Sequence, residues 1–155
     1  MEIIIAEKNK LIEVLYIIRE CSRQLLEKGV KYWNNSLADY NDISEDIINQ
    51  NVYLLVINRV AIGTVTIKPD KKNLKTSIIK RLAIFPSYQK RGFAHEILKF
   101  AEDLAKKNGS TSLIGTTPTD DKALFQLLEE NGFVNQGIEN EVHEDFVRIK
   151  FVKKL

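Results

Sequence analysis

The chain has 155 residues, 44% of them hydrophobic and 28% charged, which is the size and composition of one ordinary globular domain with a single core. Its 23 basic and 21 acidic residues leave a net charge of +2, so there is no bulk electrostatic case for nucleic acid or an anionic membrane, and any anion site must be local. Cys21 is the only cysteine, which excludes an intrachain disulfide, and the opening MEIIIAEKNK has neither the basic start nor the apolar length of a signal peptide.

No apolar run approaches the roughly 20 residues of a membrane-spanning helix, and no repeat, low-complexity tract or linker divides the chain. A cytoplasmic protein of one domain over residues 1–155 is the expectation. In chain order, EIIIA reads as a short strand. Leu11, Val14, Leu15, Ile18, Cys21 and Leu25 then follow helical spacing as far as Gly29. The aromatic and polar stretch from Val30 to Asn49 predicts a surface lid with a short helix, Ser44 standing ahead of it and Glu45 and Asp46 in its first turn. VYLLVI and VAIGTVTIK are β-branched runs separated by Asn58 and Arg59, which suggests a hairpin, although arginine is a poor residue for a tight turn.

After the polar turn PDKKN, SIIKRLAIF is a strand that stops at Pro86, because proline has no N–H for a ladder and restricts its predecessor. Ala94, Ile97, Leu98, Ala101, Leu104 and Ala105 form a clean helical stripe that ends near Gly109. TSLIGTT is a strand, TDDKALFQLLEENGF a helix with acids at its start and Gly132 just past its end, and FVNQGIE and VHEDFVRIKFV are two final strands. This order gives an α/β (α+β) fold: one mixed, mostly antiparallel sheet flanked by helices.

The stretch between the third central strand and its helix, SYQKRGFAHEIL, carries the chemistry. A glycine beside Lys90 and Arg91 precedes a helix N-terminus, whose first N–H groups lack internal partners and carry about half a positive charge. Such a turn suits a phosphate, because glycine lets the anion approach the main chain. Neither G-x-x-x-x-G-K-[ST] nor G-x-G-x-x-G is present, so nucleotide hydrolysis and dinucleotide redox chemistry are disfavoured. The plainer reading is an ordinary strand-to-helix turn with solvated bases.

RLAIFPSYQKRGFAHEIL resembles the acyl-CoA-binding motif of the GNAT superfamily of N-acyltransferases, Gln/Arg-x-x-Gly-x-Gly/Ala, met here by Gln89, Gly92 and Ala94. The resemblance extends over nearly the whole chain through the order of elements and through ALFQLLEENGF, which is similar to that fold's closing helix. It implies a GNAT-like acyl-CoA N-acyltransferase fold and an enzyme moving an acetyl group from acetyl-CoA, its cosubstrate, to a primary amine of a small molecule or peptide, with no metal. The main chain of Gln89, Lys90, Arg91, Gly92, Phe93 and Ala94 would take the coenzyme's pyrophosphate. Leu82, Ala83 and Ile84 would pair with its pantetheine amides, and an N–H beside Ile84 would polarise the thioester. The partners implied are that amine and, at most, a second copy of the chain, with no nucleic acid and no membrane. A degenerate acyl-CoA-binding sensor or interaction module, and an unrelated mixed-sheet binding domain, stay open as alternatives.

The catalytic residues do not follow from the resemblance. A tyrosine expected four residues before the closing glycine is Leu128, the strand SIIKRLAIF has no acid, and an expected asparagine is replaced around Asp120 and Asp121. Tyr88, Asp120, Asp121 and His143 are the substitutes at hand. A turn aromatic, helix caps and a solvated strand face explain them more simply. Cys21 and His95 read as structural. Tyr32 and Trp33, with Tyr40, are the acceptor-site candidates, and Asp39, Asp42, Glu45 and Asp46 would suit a cationic amine, although solvated capping is the plainer use of such acids.

Overall fold

A computed structural model describes residues 1–30, 39–139 and 148–155. Eleven elements follow one another as β1 (Glu2–Ile5), α1 (Leu11–Glu27), α2 (Tyr40–Ile48), β2 (Val52–Ile57), β3 (Val60–Pro69), β4 (Thr76–Ile84), α3 (Phe93–Lys107), β5 (Ser112–Pro118), α4 (Lys122–Glu130), β6 (Val134–Ile138) and β7 (Arg148–Lys154). The order is the one the sequence predicts. The last predicted strand is described only from Arg148, and its earlier part, with His143, lies outside the described residues, as do Tyr32 and Trp33.

The strands form one seven-stranded sheet in the order β1-β2-β3-β4-β5-β7-β6. Every pairing is antiparallel except β4 with β5, where α3 supplies the crossover that a parallel pair needs. Two apolar clusters cover the two faces. One joins α1 and α2 to β1, β2 and Ala83, around Val14, Ile17, Ile18, Ile43 and Leu54. The other joins α3 and α4 to the sheet through Ile97, Leu98, Ala101, Leu113, Leu128 and Phe151. Alternation along each strand assigns side chains to these faces, and a bulge in β4 between Ile79 and Ala83 sends Ile79 to the second cluster and Ala83 to the first.

The local chemistry bears out the sequence reading at one turn and shifts it at one helix start. The 58–59 hairpin does use a two-residue loop, Ile57 pairing with Val60, because Asn58 and Arg59 both adopt left-handed backbone at φ 49° and 68°. The short helix starts ahead of Ser44, at Tyr40, because Asp39 is its cap and accepts from the Asp42 N–H at 3.0 Å. Asp42 thus occupies the first turn, and Asp46 lies near the buried end.

Candidate functional site

The sheet parts in its middle. β4 and β5 pair only from Thr76↔Ser112 to Ile78↔Ile114, although both continue well beyond that point. The paired stretch is reinforced by hydroxyl contacts, Thr76 to Ser112 at 2.8 Å and Ser77 to Ser110 at 2.7 Å. Past it, β4 bulges. The pairing runs from Thr64↔Ala83 to Thr66↔Lys80, so β4 carries one extra residue against β3, and Arg81 takes φ 52°. A left-handed arginine in a strand is strained, and the strain is held by an ion pair: Arg81 donates to Asp46 Oδ2 at 2.6 Å with both side chains buried, while Lys68 reaches Oδ1 at 3.3 Å. Asp46 therefore serves two cations of the fold, which corrects its reading as part of an acidic surface for an amine.

Beyond the bulge the free edge of β4 can be followed atom by atom. The Phe85 N–H donates to Ile62 O on β3 at 2.7 Å, so by antiparallel alternation Ala83 also faces β3 while the N–H groups of Leu82 and Ile84 face the parted side. The carbonyl of Ile84 is engaged by two donors, Gln89 Nε2 at 2.8 Å and Cys21 Sγ at 3.0 Å. The Gln89 carboxamide also donates to Gln24 Oε1 at 2.9 Å, tying α1, β4 and the turn together. Its side chain thus shapes the turn. Cys21 is buried, and burial, with Glu20 nearby, pushes its thiol up to about 12, so it is an inert hydrogen-bond donor rather than a nucleophile.

The turn closes with Lys90 at φ 63° and Gly92 at φ 85°, the latter capping α3. A Cβ placed on Gly92 would meet no atom within 4 Å, so open space faces this backbone, and left-handed geometry is what the glycine supplies. Gly63 has the opposite reason: a Cβ there would lie 2.8 Å from Ile84 Cδ1, so its absence lets β3 sit under the end of β4. Arg91 stands over the Tyr88 ring, 5.4 Å from its centroid, and Tyr88 leans toward Phe93.

These pieces line one cleft of about 510 Å³. Leu82, Ala83, Ile84, Gln89, Lys90, Gly92, Phe93 and Ala94 all reach it, and Arg91 alone of the expected coenzyme residues does not. Cys21, Gln24 and Leu25 of α1 with its C-cap Lys28, and Ala123, Leu124 and Leu127 of α4 with its N-cap Asp121, form the other walls, where Tyr88 and His95 also reach the cleft. Sequence reasoning placed Asp121 near this end of the site and read Cys21 as structural, but it missed Gln24, Lys28, Leu124 and Leu127 as cleft residues. The only signal was the spacing of Cys21, Gln24 and Lys28 on one side of a helix, which reads equally well as ordinary amphipathicity. A second cavity of about 590 Å³ lies between the start of α1 and the β2–β3 hairpin; it shares Tyr88 with the cleft but none of the free β4 edge.

Of the residues considered for catalysis, Tyr88 is half-buried among Arg91 and Phe93. Asp121 is the N-cap of α4, accepting from the Leu124 N–H at 3.2 Å, and burial raises its carboxyl above the usual range against that bond. Asp120 is exposed beside it. Leu128 is 3% exposed and packs beneath Gly115 of β5, outside the cleft lining. His95 contacts Asn131 at 2.8 Å and lies 3.6 Å from Glu130 on the surface. Among the described residues there is no group of three or more His, Cys, Asp or Glu side chains that could hold a metal, and no helix is long and apolar enough to cross a membrane.

A family model described as the acetyltransferase (GNAT) family matches residues 14–133. The fold is similar to that of the PaiA N-acetyltransferase from Thermoplasma acidophilum in complex with coenzyme A, with TM-score 0.80, 17% identity and coverage of 99% of this chain and 98% of that one. It is likewise similar to a GNAT-family acetyltransferase from Streptococcus agalactiae, with TM-score 0.83, 18% identity and 99% and 95% coverage. Ribosomal-protein-alanine N-acetyltransferase from Brucella melitensis aligns over 100% of both chains at TM-score 0.78 and 17% identity. Comparison with curated proteins gave no significant match.

Proposed function

Because the chain belongs to the GNAT acetyltransferase family, we propose that it transfers an acetyl group from acetyl-CoA directly to a primary amine of a small molecule or peptide. The observation that carries this reading is the parting of β4 from β5 onto the turn that caps α3, which places a free strand edge and a phosphate-suited backbone in one cleft. On this proposal the N–H groups from Gln89 to Ala94 take the pyrophosphate, Lys90 and Arg91 add charge, and Leu82 to Ile84 pair with the pantetheine amides as an added strand would. The Ile84 N–H is a donor to the oxygen that gains charge as the carbonyl is attacked.

The amine nitrogen forms the new bond to the acyl carbon, the carbon–sulfur bond breaks, and the sulfur leaves with its electron pair. The amine must be neutral to attack, although an alkyl ammonium ordinarily has a pKa near 10, so its proton goes to solvent or to a base. No side chain of the described cleft is assigned as that base or as the acid for sulfur. The proposal includes a single domain over residues 1–155, a cytoplasmic setting in keeping with one buried thiol, and Tyr32 and Trp33 at the acceptor. A coenzyme-binding module without turnover is the second reading, favoured by the buried leucine at position 128.

Binding and turnover are tested together. Coenzyme A at about 100 times its Kd should stabilise the protein by roughly 2.7 kcal/mol, read as a rise in Tm, and acetyl-CoA with a broad amine panel should release free thiol. Gly92→Glu should abolish the Tm response with the fold retained, since a side chain and a negative charge would fill the phosphate's place. No response of the parent protein at millimolar coenzyme refutes the reading; a response without thiol release supports the second.

A further inference from the structure

The face of the sheet opposite α3 and α4 carries a row of basic side chains beside the parting of β4 and β5. Val65 and Ile67 of β3, Ile79 of β4 and Ile149 and Phe151 of β7 all enter the cluster under α3 and α4. Alternation therefore sends Lys68, Lys80, Arg148 and Lys150 to the other face. Register places them around the opening. Lys80 pairs with Thr66 two residues beyond the last β4–β5 pair, and Lys150 pairs with Thr116 on the opposite bank.

The Lys80 ammonium is held below the ordinary lysine range, first by desolvation and then by the like charges of Lys68 and Arg81, with Asp46 opposing and Arg148 adding. Among the described residues, Asp46 is the one carboxylate acting on it, and both of its oxygens are already engaged, by Lys68 and by Arg81. Arg81 and Arg148 have other partners. Lys80 and Lys150 have no carboxylate within ion-pair distance among the described residues.

Resting on the acyl-transfer reading above, we propose that the acceptor is an anionic amine, whose carboxylate or phosphate is held by Lys80 and Lys150 at the open face of the strand parting while its amino group attacks. A cationic row would repel a polyamine and concentrate an anion at the point where the thioester emerges. The same charges disfavour the ammonium form of the bound amine and so bring it toward the neutral state that reacts. The anion and the nucleophile must belong to one molecule for this to help.

The test measures free-thiol release at saturating acetyl-CoA with glutamate and with glucosamine 6-phosphate, against glucosamine, ethanolamine and spermidine. Charge-assisted contacts of this kind predict a kcat/KM for an anionic amine about tenfold or more above its neutral counterpart, shrinking as salt rises. Glutamate against glucosamine 6-phosphate separates carboxylate from phosphate. The K80A/K150A double variant should raise KM for the anionic amine about tenfold and erase the preference, with the coenzyme Tm response kept as the check on folding. A preference for spermidine, or a ranking unchanged in the double variant, overturns the inference. So does a variant that only loses stability, which would mean that the lysines merely offset the chain's own carboxylates. If no amine turns over, calorimetry with the coenzyme-loaded protein decides. Glutamate or glucosamine 6-phosphate binding that weakens in the double variant upholds the charge selectivity and refutes acyl transfer, whereas absence of such binding refutes the selectivity itself.

Discussion

Thr76–Ile78 and Lys80–Ile84 belong to one strand, yet they solve the backbone's hydrogen-bonding problem in opposite ways. The first stretch is paired on both sides, to β3 and to β5, and its hydroxyls lock onto Ser110 and Ser112. The second is paired to β3 alone, and a left-handed residue, Arg81, interrupts it. An unpaired strand edge inside a sheet would be costly if it were buried dry. Here it opens on a cleft, and on the proposed reading the N–H groups of Leu82 and Ile84 on that side are satisfied by the coenzyme. Order in the first stretch sets where the second begins, and the bulge keeps the two from zipping into one ladder.

The largest effect expected from breaking that contrast is at Asp46. Removing one member of a buried ion pair typically costs about 3–5 kcal/mol, and the Asp46 and Arg81 side chains are 8% and 7% exposed. Asp46→Ala should therefore lower stability to denaturant by an amount in this range and diminish the Tm response to coenzyme, because the bulge loses its anchor. Pairing Asp46→Leu with Arg81→Met should recover much of the stability, as apolar replacements of buried pairs commonly do. The coenzyme response should not recover with it. If stability and response return together, the ion pair holds the fold but not the shape of the free edge.

How much of this was legible in the sequence differs between the same two regions. The strand, Pro86, the glycine turn and the amphipathic helix are local patterns, and the cleft residues they imply meet in space with the exception of Arg91. The bulge is not a local pattern. Arg81 sits in a β-branched run that reads as an uninterrupted strand, and its left-handed conformation goes with an ion pair to Asp46, 35 residues away. The basic row was equally hidden, because Lys68, Lys80 and Lys150 are scattered along the chain as ordinary solvent-facing positions of three strands, and only the sheet order brings them around one opening. The α1 wall of the cleft depends on the Cys21 and Gln24 contacts to β4 and the turn, which helical periodicity cannot foretell.

A middle-sized effect is expected across the parting, on β5. Leu128 packs against Gly115, with both of its methyls 3.8 Å from where a Cβ on that glycine would stand. The sequence alone allows that Leu128→Tyr restores a proton donor near the leaving sulfur. Its burial points to overpacking instead, with a loss of about 1–3 kcal/mol and no gain in kcat. A rise in kcat approaching the 10²- to 10⁴-fold typical of acid–base assistance would show that the ring swings into the cleft, and would place the missing acid on this side of the parting.

The smallest effect concerns Asp121, which caps α4 just past the end of β5, its N–H donating to Pro118 O at 3.3 Å. Its carboxyl is raised above the ordinary value of 3.8, first by burial, against the Leu124 N–H and with Asp120 adding to the rise. A carboxyl raised on folding binds its proton more tightly in the folded chain than in the unfolded one. The stability it contributes is therefore fullest below pH 3.8 and declines as pH rises through the folded value. The cap and the charge can be separated by substitution. Asp121→Ala removes the acceptor and should cost about 1 kcal/mol. Asp121→Asn keeps an acceptor for the Leu124 N–H without the buried charge, so it should equal or exceed the parent at neutral pH, with the advantage shrinking as pH falls toward 3.8. Denaturant titrations of the three proteins at acid and neutral pH decide it. If Asp121→Asn loses as much as Asp121→Ala at neutral pH, the ionised carboxylate itself holds this end of the parting, and the cost of burying it is offset by the helix terminus it caps.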